Sequence, residues 1–261
     1  MTMEFEWYEY IYVIVAGIVA GFINTLAGSG SAVTLPLLIF LGLDAGVANG
    51  TNRVAIVLQN VVAVASFRKN KALDWRQGFI LAAPAVLGGV VGAYISTLLD
   101  PEVLKRFIGG VMLLVLATIL LKPSRFLKPA DDAVVQIKSW HMPLFFLIGM
   151  YGGFVQVGAG VFLLFGLVMG AGFDLVKGNA VKVLIIFCFT LTALAVFVWK
   201  GQVDWKVGLI LSIGNMTGAW LGVKTAMKGS AEFVRWLLIA VISYSSLKLL
   251  GILDLLMESI S

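Results

Sequence analysis

The chain has 261 residues, of which 60% are hydrophobic and 13% are charged, and its mean hydropathy is +1.00. A water-soluble domain of this size could not bury so many apolar side chains, so the composition excludes that class and indicates an all-α, polytopic membrane protein. The net charge of +5 does not indicate nucleic-acid binding, because the basic residues lie in short segments between apolar runs, where they orient a membrane protein.

The first ten residues contain Glu4, Glu6 and Glu9 and no basic residue, so no cleavable signal peptide is predicted. The apolar run 10–43 follows. It would be about 51 Å long as a helix, which one crossing cannot accommodate. The polar stretch Gly28-Ser29-Gly30-Ser31 divides the run into two arms of roughly 14 to 18 residues, which form either a short transmembrane pair or a re-entrant hairpin.

This glycine-rich break has the composition of an anion-binding site. Irregular backbone at membrane depth is tolerated only where it lines a cavity or is buried in protein. A helix that begins here leaves free N–H groups at the positive end of its dipole. Ser29 and Ser31 add hydroxyl groups, and Asn24 lies just before the break. The structural alternative is that the glycines only permit a tight hairpin and close packing.

The next apolar run, 47–67, carries Asn49, Asn52 and Arg53 near its start. A cation at this depth costs several kcal/mol unless it finds an anion or extends to the membrane surface. We interpret Arg53 as a counter-charge for an anionic substrate, because its fork of donors suits oxyanions, with the two asparagines as further donors. Extension of Arg53 to the surface is the alternative.

Five further apolar runs are long enough to span a membrane as helices: 77–98, 103–121, 177–199, 206–227 and 233–253. The pairs Asp74-Trp75 and Asp204-Trp205 precede two of them, as expected for a helix N-cap followed by an interfacial aromatic anchor. Glycines spaced four apart in these runs predict close helix packing.

The second half of the chain repeats the first at a shift of 130 residues. The matches are Gly, Asp, Asn, Trp and Glu rather than interchangeable aliphatic residues, so shared hydrophobicity does not explain them. They include Gly28/Gly158, Gly30/Gly160, Asp44/Asp174, Asn49/Asn179, Trp75/Trp205, Gly88/Gly218 and Glu102/Glu232. We predict a first repeat over residues 1–121, a polar linker over 122–140 and a second repeat over 141–261.

The duplication supplies a second half of the candidate site. Gly158-Ala159-Gly160 aligns with Gly28-Ser29-Gly30, and Gln156 lies beside this second break. Asn179 aligns with Asn49, and Lys182 aligns with Asn52, next to Arg53. We predict that the two breaks meet near the midplane and that Arg53 and Lys182 both face one small anion.

A first segment that returns to its own side, followed by three crossings, gives each repeat an odd number of crossings. The second repeat is therefore predicted to be inverted, in a transmembrane helical bundle with the N-terminus outside. This orientation puts 12 basic residues on the cytoplasmic side and 5 outside, against 11 and 6 for a parallel alternative. Segment length, rather than charge, favours the inverted arrangement.

The sequence gives little support to an enzyme. An intramembrane serine protease needs a base beside Ser29, but the only histidine is His141 in the linker, and Ala159 replaces the serine in the second copy. A pair of Ser29 with Lys182 is the remaining option. No metal or cofactor site and no nucleotide-binding motif is predicted. A passive channel is a closer alternative to a carrier.

The stretch AGFINTLAGSGSAVTLPLLIFLGLDAGVANGTNRVA, which begins at Ala20, and the later Asp74-Trp75 pair resemble the sulfite exporter TauE/SafE family, also called the 4-toluene sulfonate uptake permease family. The resemblance extends through both repeats. It implies transport of sulfur-containing anions such as sulfite, thiosulfate or organosulfonates across the bacterial inner (cytoplasmic) membrane.

Family members often carry a longer glycine run at the first break, so another small anion such as a carboxylate stays open as the substrate. The expected partners are a small anionic substrate and the lipid bilayer, without nucleic acid. A homo-oligomer, the coupling ion and the direction of transport are left open.

Overall fold

The computed structural model describes residues 6–120, 135–227 and 232–252. These residues form ten α-helices and no strand, which confirms the all-α class. The helices are α1 Trp7–Ala27, α2 Ser31–Phe40, α3 Ala45–Lys69, α4 Trp75–Leu98, α5 Pro101–Leu120, α6 His141–Phe154, α7 Ala159–Phe165, α8 Leu175–Trp199, α9 Trp205–Ala226 and α10 Glu232–Leu249. After α7 the chain continues as a π-helical turn, Gly166–Gly170.

The apolar runs of the sequence become α3, α4, α5, α8, α9 and α10. The described residues do not include residues 121 and 253, which end two of the predicted runs, or residues 122–134 of the predicted linker. Within the described part, α1, α4 and α8 are long and apolar enough to cross a membrane by length and composition alone. Helix α3 has the same length as α8, but it carries several polar residues in its first half.

The long apolar run breaks at Gly28, as predicted, but the second arm is shorter than the predicted 14 to 18 residues. The first arm is a helix of 21 residues and the second a helix of 10 residues, or about 31 Å and 15 Å. Only the first arm can span the bilayer as a helix, because the hydrocarbon core is about 30 Å thick. Gly28 ends α1 at φ +76°, a left-handed conformation that favours glycine.

Helix bounds follow the 130-residue shift through most of the chain. Helices α3 and α8 begin and end at equivalent positions, and α4 and α9 begin at equivalent tryptophans. Asp74 accepts from the Gln77 N–H at 3.0 Å and Asp204 from the Val207 N–H at 3.0 Å, which confirms both predicted N-caps. Packing follows the shift as well: α1 packs on α9 as α6 packs on α4, and α3 packs on α9 as α8 packs on α4.

The packed helices have clear relative directions. The start of α3 contacts the end of α8, where Gly50 meets Phe197, so these equivalent helices run antiparallel. Helix α1 runs parallel to α9, because Gly17 contacts Gly214 at their first halves and Thr25 contacts Gly222 at their last turns. These directions favour the inverted arrangement that segment length predicts.

Glycines permit the closest of these packings. A Cβ atom on Gly21 of α1 would lie 2.9 Å from the Asn215 Cα of α9, and one on Gly92 of α4 would lie 2.8 Å from the Phe154 backbone nitrogen of α6. Real side-chain atoms do not approach backbone so closely. The predicted role of the regularly spaced glycines in helix packing is therefore confirmed.

The two ends of the bundle differ in charge. The end at which α3 finishes and α8 begins, called here the basic end, carries mostly cations among the described side chains: Arg68, Lys69, Lys71, Arg76, Lys138, Lys177 and Lys224, with Asp74 and Asp174. The opposite end, called here the mixed-charge end, carries both signs: Glu6, Glu9, Asp44, Asp100, Glu102 and Asp204, with Lys105, Arg106, Lys200, Lys206 and Lys248.

Candidate functional site

The two glycine-rich breaks are in direct contact. The Gly160 N–H donates to the Gly28 carbonyl oxygen at 3.2 Å. A Cβ atom on either glycine would collide with the backbone of the other, so both positions require glycine for this approach. The structure thus brings together the two segments that the duplication pairs.

The first break has hydrogen-bonding groups without partners. The Ser29 hydroxyl is fully buried and makes no hydrogen bond. Within the part of the chain that the structure describes, the backbone N–H groups of Ser29, Gly30 and Ser31 have no acceptor. Because they lie at the start of α2, these donors sit at the positive end of a helix dipole. Buried donors of this kind normally have a partner.

The second break is hydrogen-bonded within the protein instead. The Ala159 N–H donates to the Gln156 carbonyl at 3.2 Å, and the Gly160 N–H is used by Gly28. Positive φ angles at Gln156 and Gly158, +64° and +73°, fold this loop onto itself. The two breaks therefore meet as expected, but they differ in the donors that they leave open.

Arg53 is fully buried and does not extend to the surface. Its Nη1 donates to the Gly152 carbonyl at 2.9 Å and to Gln156 Oε1 at 2.8 Å. Its Nη2 donates to the Gly153 carbonyl at 2.7 Å and to Asn49 Oδ1 at 3.2 Å. Its Nε has no partner, and the guanidinium lies 5.0 Å from the centre of the Phe197 ring, within range of a cation–π contact.

Two predicted site residues hold this arginine in place. Gln156 donates to the Thr190 hydroxyl at 3.0 Å, and Asn49 donates to the Phe154 carbonyl at 2.7 Å and to the Ser96 hydroxyl at 3.0 Å. The amide groups of both side chains are thereby oriented with their oxygens towards Arg53. We call Arg53, Asn49, Gln156, Gly152 and Gly153 the arginine network.

Lys182 is also fully buried. Its Nζ donates to the Asn24 carbonyl at 3.3 Å, to the Thr25 carbonyl at 2.9 Å and to Asn179 Oδ1 at 2.7 Å. Asn24 therefore contributes its backbone rather than its side chain. We call Lys182, Asn179 and the carbonyls of Asn24 and Thr25 the lysine network.

Both networks follow one principle. Arg53 binds carbonyls in the last turn of α6, and Lys182 binds carbonyls in the last turn of α1, so each cation lies at the negative end of the first helix of the other repeat. Neither forms an ion pair; the ion pairs of the described residues join Lys105 to Glu102 and Lys177 to Asp174. Among the described residues, the two networks share no hydrogen-bond partner.

Asn52 lies outside both networks. Its Oδ1 accepts from the Thr34 hydroxyl at 2.7 Å, and its Nδ2 donates to the Ser31 hydroxyl at 3.2 Å. These bonds connect α3 to the first turn of α2 and fix the start of the helix whose donors are open.

Sequence reasoning missed several residues of these networks. Thr34, Ser96 and Thr190 are buried and their hydroxyl groups are hydrogen-bonded to predicted site residues. Thr190 had a usable signal, because it aligns with Asn60 at the 130-residue shift, so both copies are polar there. The carbonyls of Gly152 and Gly153 had no signal in the sequence, because every residue has a backbone carbonyl.

The geometry gives no support to serine protease chemistry. No hydrogen bond of Lys182 reaches Ser29, and the His141 ring nitrogen accepts from the Lys138 N–H at 2.7 Å, at the basic end. Among the described residues, no three His, Cys, Asp or Glu side chains are grouped as metal ligands.

Comparisons with known proteins agree with this membrane architecture. The family described as Sulfite exporter TauE/SafE matches residues 13–249. A probable membrane transporter protein, ORF9, of Sinorhizobium sp. is 29% identical over 240 residues, covering 92% of each chain. One of Haemophilus influenzae is 29% identical over 224 residues, with 84% of this chain and 86% of that protein covered. The Escherichia coli K12 protein YfcA, also named a probable membrane transporter, is 25% identical over 235 residues, with 88% of this chain and 86% of that protein covered.

Proposed function

The chain belongs to the sulfite exporter TauE/SafE family, and on that premise we propose that it carries small sulfur-containing anions across the bacterial inner membrane by alternating access. Sulfite, thiosulfate and organosulfonates are the substrates that we infer. Its family and relatives make it a membrane transporter; the substrate class, the mechanism and the membrane are our proposal.

The observation that carries the proposal is the set of open donors at the first break. The unpartnered Ser29 hydroxyl and the free N–H groups at the start of α2 lack an acceptor in a buried place, where an unmade hydrogen bond costs about 1–3 kcal/mol. A sulfite or sulfonate oxygen would supply that acceptor. The helix dipole favours a negative charge at the same position.

The interior charge supports the same substrate class. Arg53 and Lys182 are two buried cations without a carboxylate partner. Backbone carbonyls stabilise them through dipoles but do not neutralise them, so the protein interior keeps a positive potential. An anion crossing there avoids much of the several kcal/mol that a charge costs inside a membrane.

Alternating access is favoured by the antiparallel directions of α3 and α8. Inverted repeats that enclose a central site allow one repeat to rock against the other. We propose the corresponding orientation, with the basic end in the cytoplasm, because cationic loops are retained there.

A thermal-shift experiment in detergent tests the substrate class. We expect sulfite, thiosulfate, taurine and sulfoacetate to raise the unfolding temperature of the purified protein more than acetate does at equal ionic strength. An equal shift with acetate would favour a general carrier of small anions, and no shift with any anion would contradict the proposed site.

Flux into liposomes tests the mechanism. A carrier gives slow, saturable uptake of radiolabelled thiosulfate, since each cycle needs a conformational change. Flux that rises linearly with concentration would contradict alternating access and favour the passive channel.

A further inference from the structure

The loop that joins α8 to α9, residues 200–204, lies on the start of α3 at the mixed-charge end. The Asp204 N–H donates to the Thr51 hydroxyl at 2.9 Å, and Gln202 Nε2 donates to the Thr97 carbonyl at 3.5 Å. The Gln202 backbone lies against Gly50, where an added Cβ would collide with it. Gly46 faces the Gln202 side-chain amide. Loop and helix are therefore in close contact there.

The equivalent loop at the basic end, residues 70–74, borders a cavity, and its Leu73 packs against a cluster that contains Phe173 and Val181. A cavity of about 440 Å³ lies between this loop and the start of α8, and Lys71, Leu73, Asp74, Phe173 and Lys177 line it. At the mixed-charge end, the described cavity holds about 180 Å³ and lies elsewhere, beside the turn before α3 and the start of α5. The same pair of elements is thus joined by backbone contact and a hydrogen bond at one end, whereas a cavity lies between them at the other.

The two loops also differ in sequence, so the basic end would close through contacts unlike those at the mixed-charge end. Ala72 stands where the second copy has Gln202, so the amide that fills the space over α3 has no counterpart. Ala180 and Val181 stand where the first copy has Gly50 and Thr51. The methyl group of Ala180 prevents the close backbone approach, and Val181 has no hydroxyl to accept the Asp74 N–H.

We infer that the structure is the state open at the basic end and closed at the mixed-charge end, with the 200–204 loop on Gly50 and Thr51 as the closed gate. This inference rests on the proposed alternating access. The cavity at the basic end is then the entrance for the substrate. Lys71 at its wall attracts an anion, whereas Lys177 is ion-paired with Asp174 and Asp74 carries the opposite charge.

Cysteine labelling tests the two gates without any substrate. In a Cys188→Ala background, Leu73→Cys and its equivalent Val203→Cys place one thiol in each loop. Both side chains are half-buried and pack against core clusters, but Leu73 also lines the cavity of about 440 Å³. We expect a membrane-impermeant maleimide to label Leu73→Cys several-fold faster in detergent. Equal rates, or faster labelling of Val203→Cys, would overturn the assignment.

Substitutions in α3, where the 200–204 loop contacts it, test which residues hold the gate closed. Thr51→Val removes the acceptor for the Asp204 N–H and reproduces the residue of the other copy, so it should raise the labelling rate of Val203→Cys several-fold. Gly50→Ala should do the same through steric contact with Gln202. Ala180→Gly and Val181→Thr are matched controls, and they should not raise the labelling of Val203→Cys. If Gly50→Ala does not fold, Thr51→Val decides: an unchanged rate means that this contact is not the gate.

Failure of the gate is distinguishable from failure of the proposed function. If anions stabilise the protein but the two cysteines label equally, the gate assignment is wrong and the anion site stands. If no anion stabilises the protein while the labelling difference persists, the closed contact is real and the substrate proposal is wrong.

Discussion

The arginine network and the lysine network are equivalent in position but unequal in construction. Each cation bonds two backbone carbonyls, but Arg53 also binds two side-chain amides through its planar fork, whereas Lys182 binds one. Each cation nevertheless stabilises the last turn of the opposite repeat's first helix. The duplication therefore kept the connection between the repeats and changed the chemistry around it.

The two glycine-rich breaks beside these networks are likewise equivalent in position but different in chemistry. In the first copy the donors stay open, and in the second they are used internally. A transporter with one central ligand needs only one such set of donors. The second break then serves as the surface against which the first is held.

Arg53→Ala should give the largest effect on the free energy of unfolding. The change leaves the Gly152 and Gly153 carbonyls without their donors and opens a large cavity, so we expect a loss of about 3–5 kcal/mol. Unfolding in detergent followed by circular dichroism measures it. Arg53→Lys is the sharper variant, because it gives the first copy the cation of the second; full stability with lysine would show that the fork is not needed.

Lys182→Met should cost less, about 1–3 kcal/mol, because three hydrogen bonds are lost but the desolvation of a buried charge is relieved and the apolar stem is kept. The same unfolding measurement applies, beside Lys177→Met as a control at the exposed start of α8. A loss as large as that of Arg53→Ala would contradict the ranking of the two networks. A lost anion-dependent shift in either variant would connect that cation to the ligand.

Asn52→Ala tests a direct difference between the copies, since the equivalent position holds Lys182. The variant removes two bonds to the start of α2, and we expect a loss of about 1–2 kcal/mol together with a weaker anion-dependent thermal shift. Asn60→Ala is the control, because the Asn60 amide donates only to the Ile56 carbonyl of its own helix. An undiminished anion shift in Asn52→Ala would mean that fixing the start of α2 does not matter for the ligand.

Ser29→Ala should have the smallest effect on stability and a selective effect on binding. The Ser29 hydroxyl is buried without a partner, so its removal should leave the protein as stable or up to about 1 kcal/mol more stable. The sulfite-dependent thermal shift should decrease modestly, because the backbone donors remain. Ala159→Ser in the second break should leave that shift unchanged. Equal effects of both substitutions would mean that the two breaks are not specialised.

Much of the fold could be predicted from the sequence. Apolar runs located the helices, Asp74 and Asp204 marked two helix starts, and Gly28 located the break, because each signal lies in a residue type with one strong physical preference. The unequal arms of the first segment could not be predicted, since the apolar residues after Gly28 continue past Phe40 where α2 ends.

The candidate site could be predicted only in part. The pairing of the two breaks follows from the duplication, and the polar neighbours of Arg53 lie in its own segment or beside the second break. The acceptors of Lys182 are the carbonyls of Asn24 and Thr25, and backbone oxygens leave no trace in residue identity. That both cations face one anion stays a prediction, and only the folded chain shows that each cation has its own set of acceptors.

The hydrogen bond from Gly160 to Gly28 has a mechanical consequence. At this point two bare backbones touch without interlocking side chains, and one such bond contributes only about 1 kcal/mol. The alternating access that we propose would meet little resistance here, whereas the cross-repeat bonds of Arg53 and Lys182 would have to rearrange.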